Sequence, residues 1–167
     1  GLTSIVNAFG YESSETQDVA DIMFETMRRG KTTIGELSDF FFQAAPVSSA
    51  LGVTFEELSA SITTLTLSGT PTRVAMTQVR QAMVALAKPT ADMEALFEAV
   101  GFESGLAAIR SEGLVGALTK LQEESGATEE EFIKAVGSID ALQAVMGLTG
   151  KNTPAFLDNM VAMENAA

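Results

Sequence analysis

The sequence of 167 residues predicts an all-α protein, a compact bundle of about eight or nine short amphipathic helices with short capped turns. Three observations predict this class. Apolar residues recur at three- and four-residue intervals along most of the chain, which is the period of a helix with one buried face. Threonine and glycine stand between these apolar stripes in the pattern of helix starts and ends. No run of alternating apolar and polar residues is bounded by hairpin turns, so we expect no strands.

Each apolar stripe predicts one helix. Residues three and four positions apart lie on the same side of a helix, so each stripe marks the side that is buried against neighbouring helices. In chain order, the stripes cover residues 19–27, 55–65, 76–86, 93–100, 114–121, 132–136, 139–146 and 156–163. A further helix is predicted to begin after Thr33, where the capping pattern described next first occurs.

Three helix starts have the same pattern, a threonine followed three residues later by a glutamate and then by an apolar residue. The pairs are Thr33 and Glu36, Thr54 and Glu57, and Thr128 and Glu131. In such a capping box, the hydroxyl and the carboxylate each accept a hydrogen bond from a backbone N–H that the helix start leaves unpaired. A glycine shortly before each threonine is expected to end the previous helix in a left-handed conformation. These glycines are Gly30, Gly52 and Gly126.

Proline marks further boundaries, and glycine marks a possible division of the chain. Thr153 and Pro154 predict an N-cap followed by proline at the first helical position. The 70–72 segment, which contains Pro71, opens another helix, and Lys88 followed by proline closes it. We predict one helical domain over 1–167, as a fragment of a longer chain because it does not begin with methionine. Four glycines in the weakly periodic stretch 101–116 predict an irregular crossing, with a possible soft subdomain boundary near 101–113.

The composition excludes several classes of function. A net charge of −12 disfavours general binding to nucleic acids or anionic membranes. The chain has no histidine and no cysteine, which excludes serine–histidine and cysteine–histidine catalysis, zinc sites with those ligands and iron–sulfur clusters. We therefore predict no enzyme, no catalytic residue, no cofactor and no metal site. No stretch without charges is long and apolar enough to predict a membrane span.

The run Phe40, Phe41 and Phe42 is the candidate protein-contact site. Successive residues of a helix point about 100° apart, so one flat interface cannot hide all three rings. Either the helix is buried on several sides, or one of the rings lies on a contact surface. Two charged clusters have simpler interpretations. The glutamates at 123–124 and 129–131 favour a solvated helix start over a cation site, and the basic residues at 28–31 complement a helix C-terminus.

The order of these segments resembles the core region of phage tail tape measure proteins, over roughly residues 16–150. The first half carries the matching elements Ala20-Asp21, Lys31-Thr32-Thr33 with Glu36-Leu37, Ala45-Pro46, Gly52-Val53-Thr54 with Glu56-Glu57, the turn at 65–69, Arg80, and Lys88-Pro89-Thr90. The later half continues with Val100-Gly101-Phe102, Gly113-Leu114, the segment 118–121, Gly126-Ala127-Thr128, and Val136-Gly137. Met76 stands where relatives usually have glycine, which implies different helix packing at that point.

The resemblance implies a structural virion protein of a phage or prophage, located in the tail and assembled in the bacterial host cytoplasm. Tape measure proteins occupy the tail tube lumen and set tail length. The expected partners are therefore other tail proteins (tail tube, tail tip and assembly chaperones), with self-association possible. The resemblance implies no specific nucleic acid partner. Since this region resembles a capped bundle, we expect it to be a globular module of the longer protein.

Two alternatives stay open at this point. One is an all-α adaptor that binds a partner helix in an apolar groove. The other is a carboxylate-based glycoside hydrolase. The hydrolase is disfavoured because the chain has no tryptophan and one tyrosine with which to stack a sugar.

Overall fold

Ten α-helices and two short 3-10 helices make up the computed structural model, which describes residues 1–167 and contains no strand. The helices are α1 (Leu2–Ala8), α2 (Thr16–Arg29), α3 (Ile34–Leu51), α4 (Phe55–Leu67), α5 (Thr72–Ala87), α6 (Ala91–Val100), α7 (Gly105–Glu124), α8 (Glu129–Val136), α9 (Ile139–Leu148) and α10 (Thr153–Ala166). The 3-10 helices are Ser13–Glu15 and Gly150–Asn152. The predicted all-α class is confirmed, but the predicted number of helices is too low. The additional helix is α1, whose buried residues Ile5 and Val6 are adjacent and form no stripe.

Helix α4 lies at the centre of the bundle. Of its 13 residues, all except Glu56 and Leu67 are buried, and α2, α5, α9 and α10 pack around it. Its serines and threonines tolerate burial because many of them bond to the backbone of the same helix. The hydroxyls of Ser61, Thr63 and Thr64 donate to the carbonyl oxygen four residues earlier. Helix α9 approaches α4 closely at a glycine: a Cβ added to Gly147 of α9 would lie 2.4 Å from a methyl carbon of Leu65.

The glycines that precede the capped helix starts have two different roles. Gly52 and Gly126 have φ angles of 80° and 81°, as predicted for a left-handed conformation. The prediction for Gly30 is wrong, because its φ of −93° and ψ of −180° are those of extended backbone. A Cβ at Gly30 would lie 2.7 Å from the hydroxyl oxygen of Thr66 in α4. Gly30 is therefore required by a close helix approach and not by its backbone angles.

The capping boxes are complete at only one of the three predicted starts. Each threonine accepts a hydrogen bond from the backbone N–H three residues later, at 3.1 Å in all three cases. At the start of α8 the arrangement is reciprocal, because the Glu131 carboxylate accepts the N–H of Thr128 at 3.1 Å. The Glu36 carboxylate instead accepts from the hydroxyl of Thr72 in α5. The carboxylate of Glu57 extends to another helix, described below.

The predicted boundaries of α5 agree with the structure, and the predicted start of α10 is displaced by one residue. Pro71 is the N-cap of α5, and Lys88 follows its last residue. For α10 the N-cap is Asn152, so Thr153 is already helical and Pro154 occupies its first turn.

Most of the stretch 101–116 is helical, which corrects the predicted irregular crossing. Helix α7 begins at Gly105, where a Cβ would lie 2.0 Å from the carbonyl oxygen of Leu86, so α7 starts directly against α5. Only Gly113, with φ 74° and ψ 174°, interrupts the helical backbone. This break divides α7 into segments 105–112 and 114–124. One cluster of 40 buried apolar residues contains members from both sides of 101–113.

Candidate functional site

The three phenylalanines of the candidate contact site point in three directions from α3. Phe41 is 1% exposed and belongs to the core, where its ring packs edge-on against Phe55 with 5.2 Å between centroids. Phe40 is half-buried against the same core. Phe42 is 63% exposed. Of the three rings, Phe42 is therefore the exposed one, and Phe41 is buried in the core.

The ring of Phe42 borders a groove between α1 and α3. The groove has a volume of about 300 Å³, and Ile5, Ala8 and Pro46 are among its lining residues. No charged side chain lines it. Because Pro46 has no N–H, the carbonyl oxygen of Phe42 lacks the donor that a helix normally supplies four residues later. This face of α3 therefore combines an exposed aromatic ring with a backbone acceptor that is freed from the helix.

A larger cleft, of about 790 Å³, lies between α7 and α10, and Glu57 of α4 is among its lining residues. The Glu57 carboxylate accepts two backbone hydrogen bonds, from the N–H of Leu114 at 3.0 Å and from the N–H of Val115 at 3.2 Å. These are the first two residues of the second segment of α7. A helix start has unpaired N–H groups and a partial positive charge, both of which favour a carboxylate. Glu57 is thus an N-cap supplied by a different helix.

Burial determines the electrostatic state of this carboxylate. Glu57 is 7% exposed, and the loss of solvation raises the pKa of its carboxyl above the ordinary value of 4.5. The two backbone hydrogen bonds lower the pKa and only partly offset burial. Since each oxygen accepts a backbone N–H, the geometry gives Glu57 a positioning role: it holds α7 in its broken form.

Gly113 makes this contact possible. Its φ of 74° and ψ of 174° fall in a region that residues other than glycine rarely adopt. A Cβ at this position would also lie 3.1 Å from an oxygen of Glu57. Sequence reasoning missed the contact because it paired Glu57 with its own helix start. The available signal was a glycine inside an otherwise helical stretch, which indicates a break that needs a cap.

The two charged clusters have structural partners. Within the basic segment, Arg28 pairs with Glu25, and Nε of Arg29 donates to the side-chain oxygen of Asn159 at 3.0 Å. Asn159 in turn donates to the hydroxyl of Thr64 at 2.9 Å, which connects α2, α10 and α4. Of the acidic cluster, Glu131 completes a capping box. No group of three or more Asp, Glu, His or Cys side chains is arranged to hold a metal ion.

Comparison with known proteins gives consistent results. The profile of a family described as phage-related minor tail protein matches residues 1–124. A probable tape measure protein of Clostridium phage phiCD119 is 29% identical over 170 residues, which covers 98% of this chain and 18% of the relative. A tape measure protein of Pneumococcus phage Dp-1 is 28% identical over 100 residues, which covers 60% of this chain and 9% of the relative. No solved structure matches.

These matches cover a small part of the relatives. The chain spans less than a fifth of the length of either curated relative. None of its helices is both long enough and apolar enough to cross a membrane.

Proposed function

The chain belongs to the family of phage-related minor tail proteins, and from this premise we propose that it is a folded module of a tail tape measure protein. Membership of this family gives it a structural role in the virion tail. The observation that carries the proposal is the alignment of 98% of the chain within 18% of a probable tape measure protein. The chain is thus similar to one region of a much longer structural protein, and we propose a role without catalysis.

The buried core supports a module rather than a ruler. A ruler is an extended helix that adds about 1.5 Å of length per residue. Here the longest helix has 20 residues and is broken at Gly113, and 40 apolar residues form one core cluster. To unfold these residues into an extended helix would expose that cluster, at about 25 cal/mol for each Å² of apolar surface. We therefore assign length measurement to other parts of the parent protein and assign assembly contacts to this module.

The partners that we propose are other tail proteins: the tail tube, the tail tip and assembly chaperones, with self-association as a further contact. Assembly would take place in the host cytoplasm. Phe42 is the residue through which we expect one such contact, because it is the exposed member of the run at 40–42 and borders a groove that no charged side chain lines. Phe41 lines the same groove from the core, and Phe40 is half-buried against that core.

Electron microscopy of phage tails tests the proposed function. Residues 54–87 are deleted in frame from the parent gene, and a control phage lacks an equal number of residues from a long helical stretch of the same gene. We expect the control tails to shorten by about 50 Å, at about 1.5 Å per residue. The deletion of 54–87 should instead abolish tails or scatter their lengths. Tails shortened by the same 50 Å in both phages would make this region a ruler. Normal tails would favour the alternative of an adaptor that binds a partner helix.

A second experiment tests the contact residue. Phe42→Ser removes the exposed ring, and Ile139→Ser serves as the matched control because Ile139 is 75% exposed on α9 and does not line the groove beside Phe42. We expect the Phe42 variant to lower the yield of complete tails, while both purified variants keep the wild-type melting temperature. If the Ile139 variant lowers the yield equally, the proposed contact through Phe42 is wrong.

A further inference from the structure

A second groove lies between α3 and α5, and Pro46 lines both this groove and the one beside Phe42. This α3–α5 groove has a volume of about 480 Å³, and its apolar lining includes Val47 and Leu51 of α3 and Val84 of α5. The charged side chains that line it are Arg80 and Lys88, and no acidic residue does so. An apolar groove with charge of a single sign at its edges specifies the chemistry of what binds it.

Both cations are free of partners within the chain. The molecule has 22 acidic and 10 basic side chains, yet its salt bridges involve Arg28, Lys120 and Lys134 and not Arg80 or Lys88. Both side chains are exposed. Two unpaired cations beside an apolar groove attract negative charge locally. Because the net charge of the protein is −12, the surface as a whole repels negative charge.

The larger cleft over Glu57 provides a useful contrast. Its edges carry both signs of charge, with Arg110 and Lys120 beside Glu112 and Glu124. Lys120 is already paired with Glu112 at 3.7 Å. That cleft therefore selects no charge on a partner, whereas the α3–α5 groove does.

We propose that the α3–α5 groove binds an acidic amphipathic helix of another protein. Apolar side chains of that helix lie against Val47 and Val84, and its carboxylates pair with Arg80 and Lys88. The two cations are eight positions apart on and just beyond α5, which corresponds to about 12 Å along a helix at about 1.5 Å per residue. Acidic residues seven or eight positions apart on the partner helix, at about 10–12 Å along its axis, match this spacing. The inference goes beyond the tail role and does not depend on it.

Binding of two synthetic peptides to the whole chain tests the proposal. One peptide is an amphipathic helix of leucine and glutamate with acidic residues about seven positions apart, and the other has lysine in place of each glutamate. Isothermal titration calorimetry measures both. We expect the glutamate peptide to bind at least about tenfold more tightly than the lysine peptide, with affinity that weakens as salt is added.

The variants locate the binding. The double substitution Arg80→Glu with Lys88→Glu should weaken binding of the glutamate peptide by about tenfold or more. The control Arg73→Glu with Lys151→Glu makes the same change in net charge at exposed residues outside the groove, and it should change affinity less than twofold or so. The proposal is overturned if neither peptide binds, or if both double variants weaken binding equally. It is also overturned in favour of a second copy of this chain if sedimentation shows a dimer that the Arg80 and Lys88 variant abolishes. Thermal melting checks that each variant is folded.

Discussion

Helices α4 and α8 begin with the same local pattern, yet the two starts differ in what the glutamate does. In α8, Glu131 accepts the backbone N–H of Thr128 and completes a reciprocal box on the surface. In α4, Glu57 turns away from Thr54 and accepts two N–H groups of α7. The threonine behaves identically in both helices, with a hydrogen bond of 3.1 Å.

The difference shows that the packing around the helix start, and not the local sequence, determines which hydrogen bonds the glutamate accepts. Helix α8 lies at the edge of the bundle, where water solvates Glu131 and its hydrogen bonds with Thr128 lower the pKa of its carboxyl. Helix α4 is central, and burial raises the pKa of Glu57. A buried carboxylate needs strong donors, and the N–H groups after the break at Gly113 are unpaired donors. The Glu57 carboxylate and the two N–H groups at the break therefore supply each other's missing hydrogen-bond partners.

Removal of the two carboxylates should give the largest contrast. Glu57→Ala leaves the buried N–H groups of Leu114 and Val115 without acceptors, and each such group costs about 1–3 kcal/mol. We expect the free energy of unfolding to fall by about 2–5 kcal/mol. Glu131→Ala should cause a much smaller loss, because water replaces the exposed carboxylate. Urea denaturation followed by circular dichroism measures both. Equal losses in the two variants would mean that the cap on α7 contributes no special stability.

Substitution of the glycine at the break should be nearly as damaging. Gly113→Ala imposes the rare φ of 74° and ψ of 174° on alanine and crowds Glu57, so we expect a loss of about 2–3 kcal/mol. Gly101→Ala is the matched control, since φ is 83° and ψ is 19° at the end of α6 and no atom lies within 4 Å of an added Cβ. The control should lose about 1 kcal/mol. A loss at Gly113 no greater than at Gly101 would show that the break tolerates a side chain.

Titration should show that the pKa values of these two carboxyls, Glu57 and Glu131, are shifted in opposite directions from the ordinary value of 4.5. The folded-state pKa of Glu57 is raised because burial disfavours the charged carboxylate, so protonation of this group adds to stability below the unfolded pKa, and this addition is lost as pH rises through the folded pKa. The folded-state pKa of Glu131 is lowered, so its contribution is present above the unfolded pKa and is lost as pH falls through the folded pKa. Carbon-13 NMR of the glutamate carboxyls measures both in one sample, with Glu57→Gln and Glu131→Gln to assign the signals. If the pKa values of both carboxyls were shifted in the same direction, the two glutamates would not differ in environment as the structure indicates.

Local patterns in the sequence predict the helix class and most starts, because capping and apolar spacing act within a few residues. They do not predict that α4 is central. Its serines and threonines suggest a solvated side, and only the packing of four neighbours, with hydroxyls such as that of Thr64 bonded to the same helix, allows their burial. The same limit applies to the contact site. The run at 40–42 is visible in the sequence, but which ring is exposed depends on where α1 and α4 lie against α3.

The threonines should show the smallest difference, and for that reason they test the comparison most sharply. Thr54→Ala and Thr128→Ala each remove the hydrogen bond that the hydroxyl oxygen accepts from the backbone N–H three residues later, at a cost of about 1 kcal/mol in the free energy of unfolding. If the two starts differ only in the glutamate, the two losses should agree within about 0.5 kcal/mol.

A double mutant of Thr128 and Glu131 should show coupling, because each side chain bonds to the backbone of the other residue at the same helix start. The double mutant of Thr54 and Glu57 should be additive, because these side chains serve different helices. Coupling in both pairs, measured by the same urea denaturation, would mean that Glu57 still stabilises its own helix start as well as that of α7.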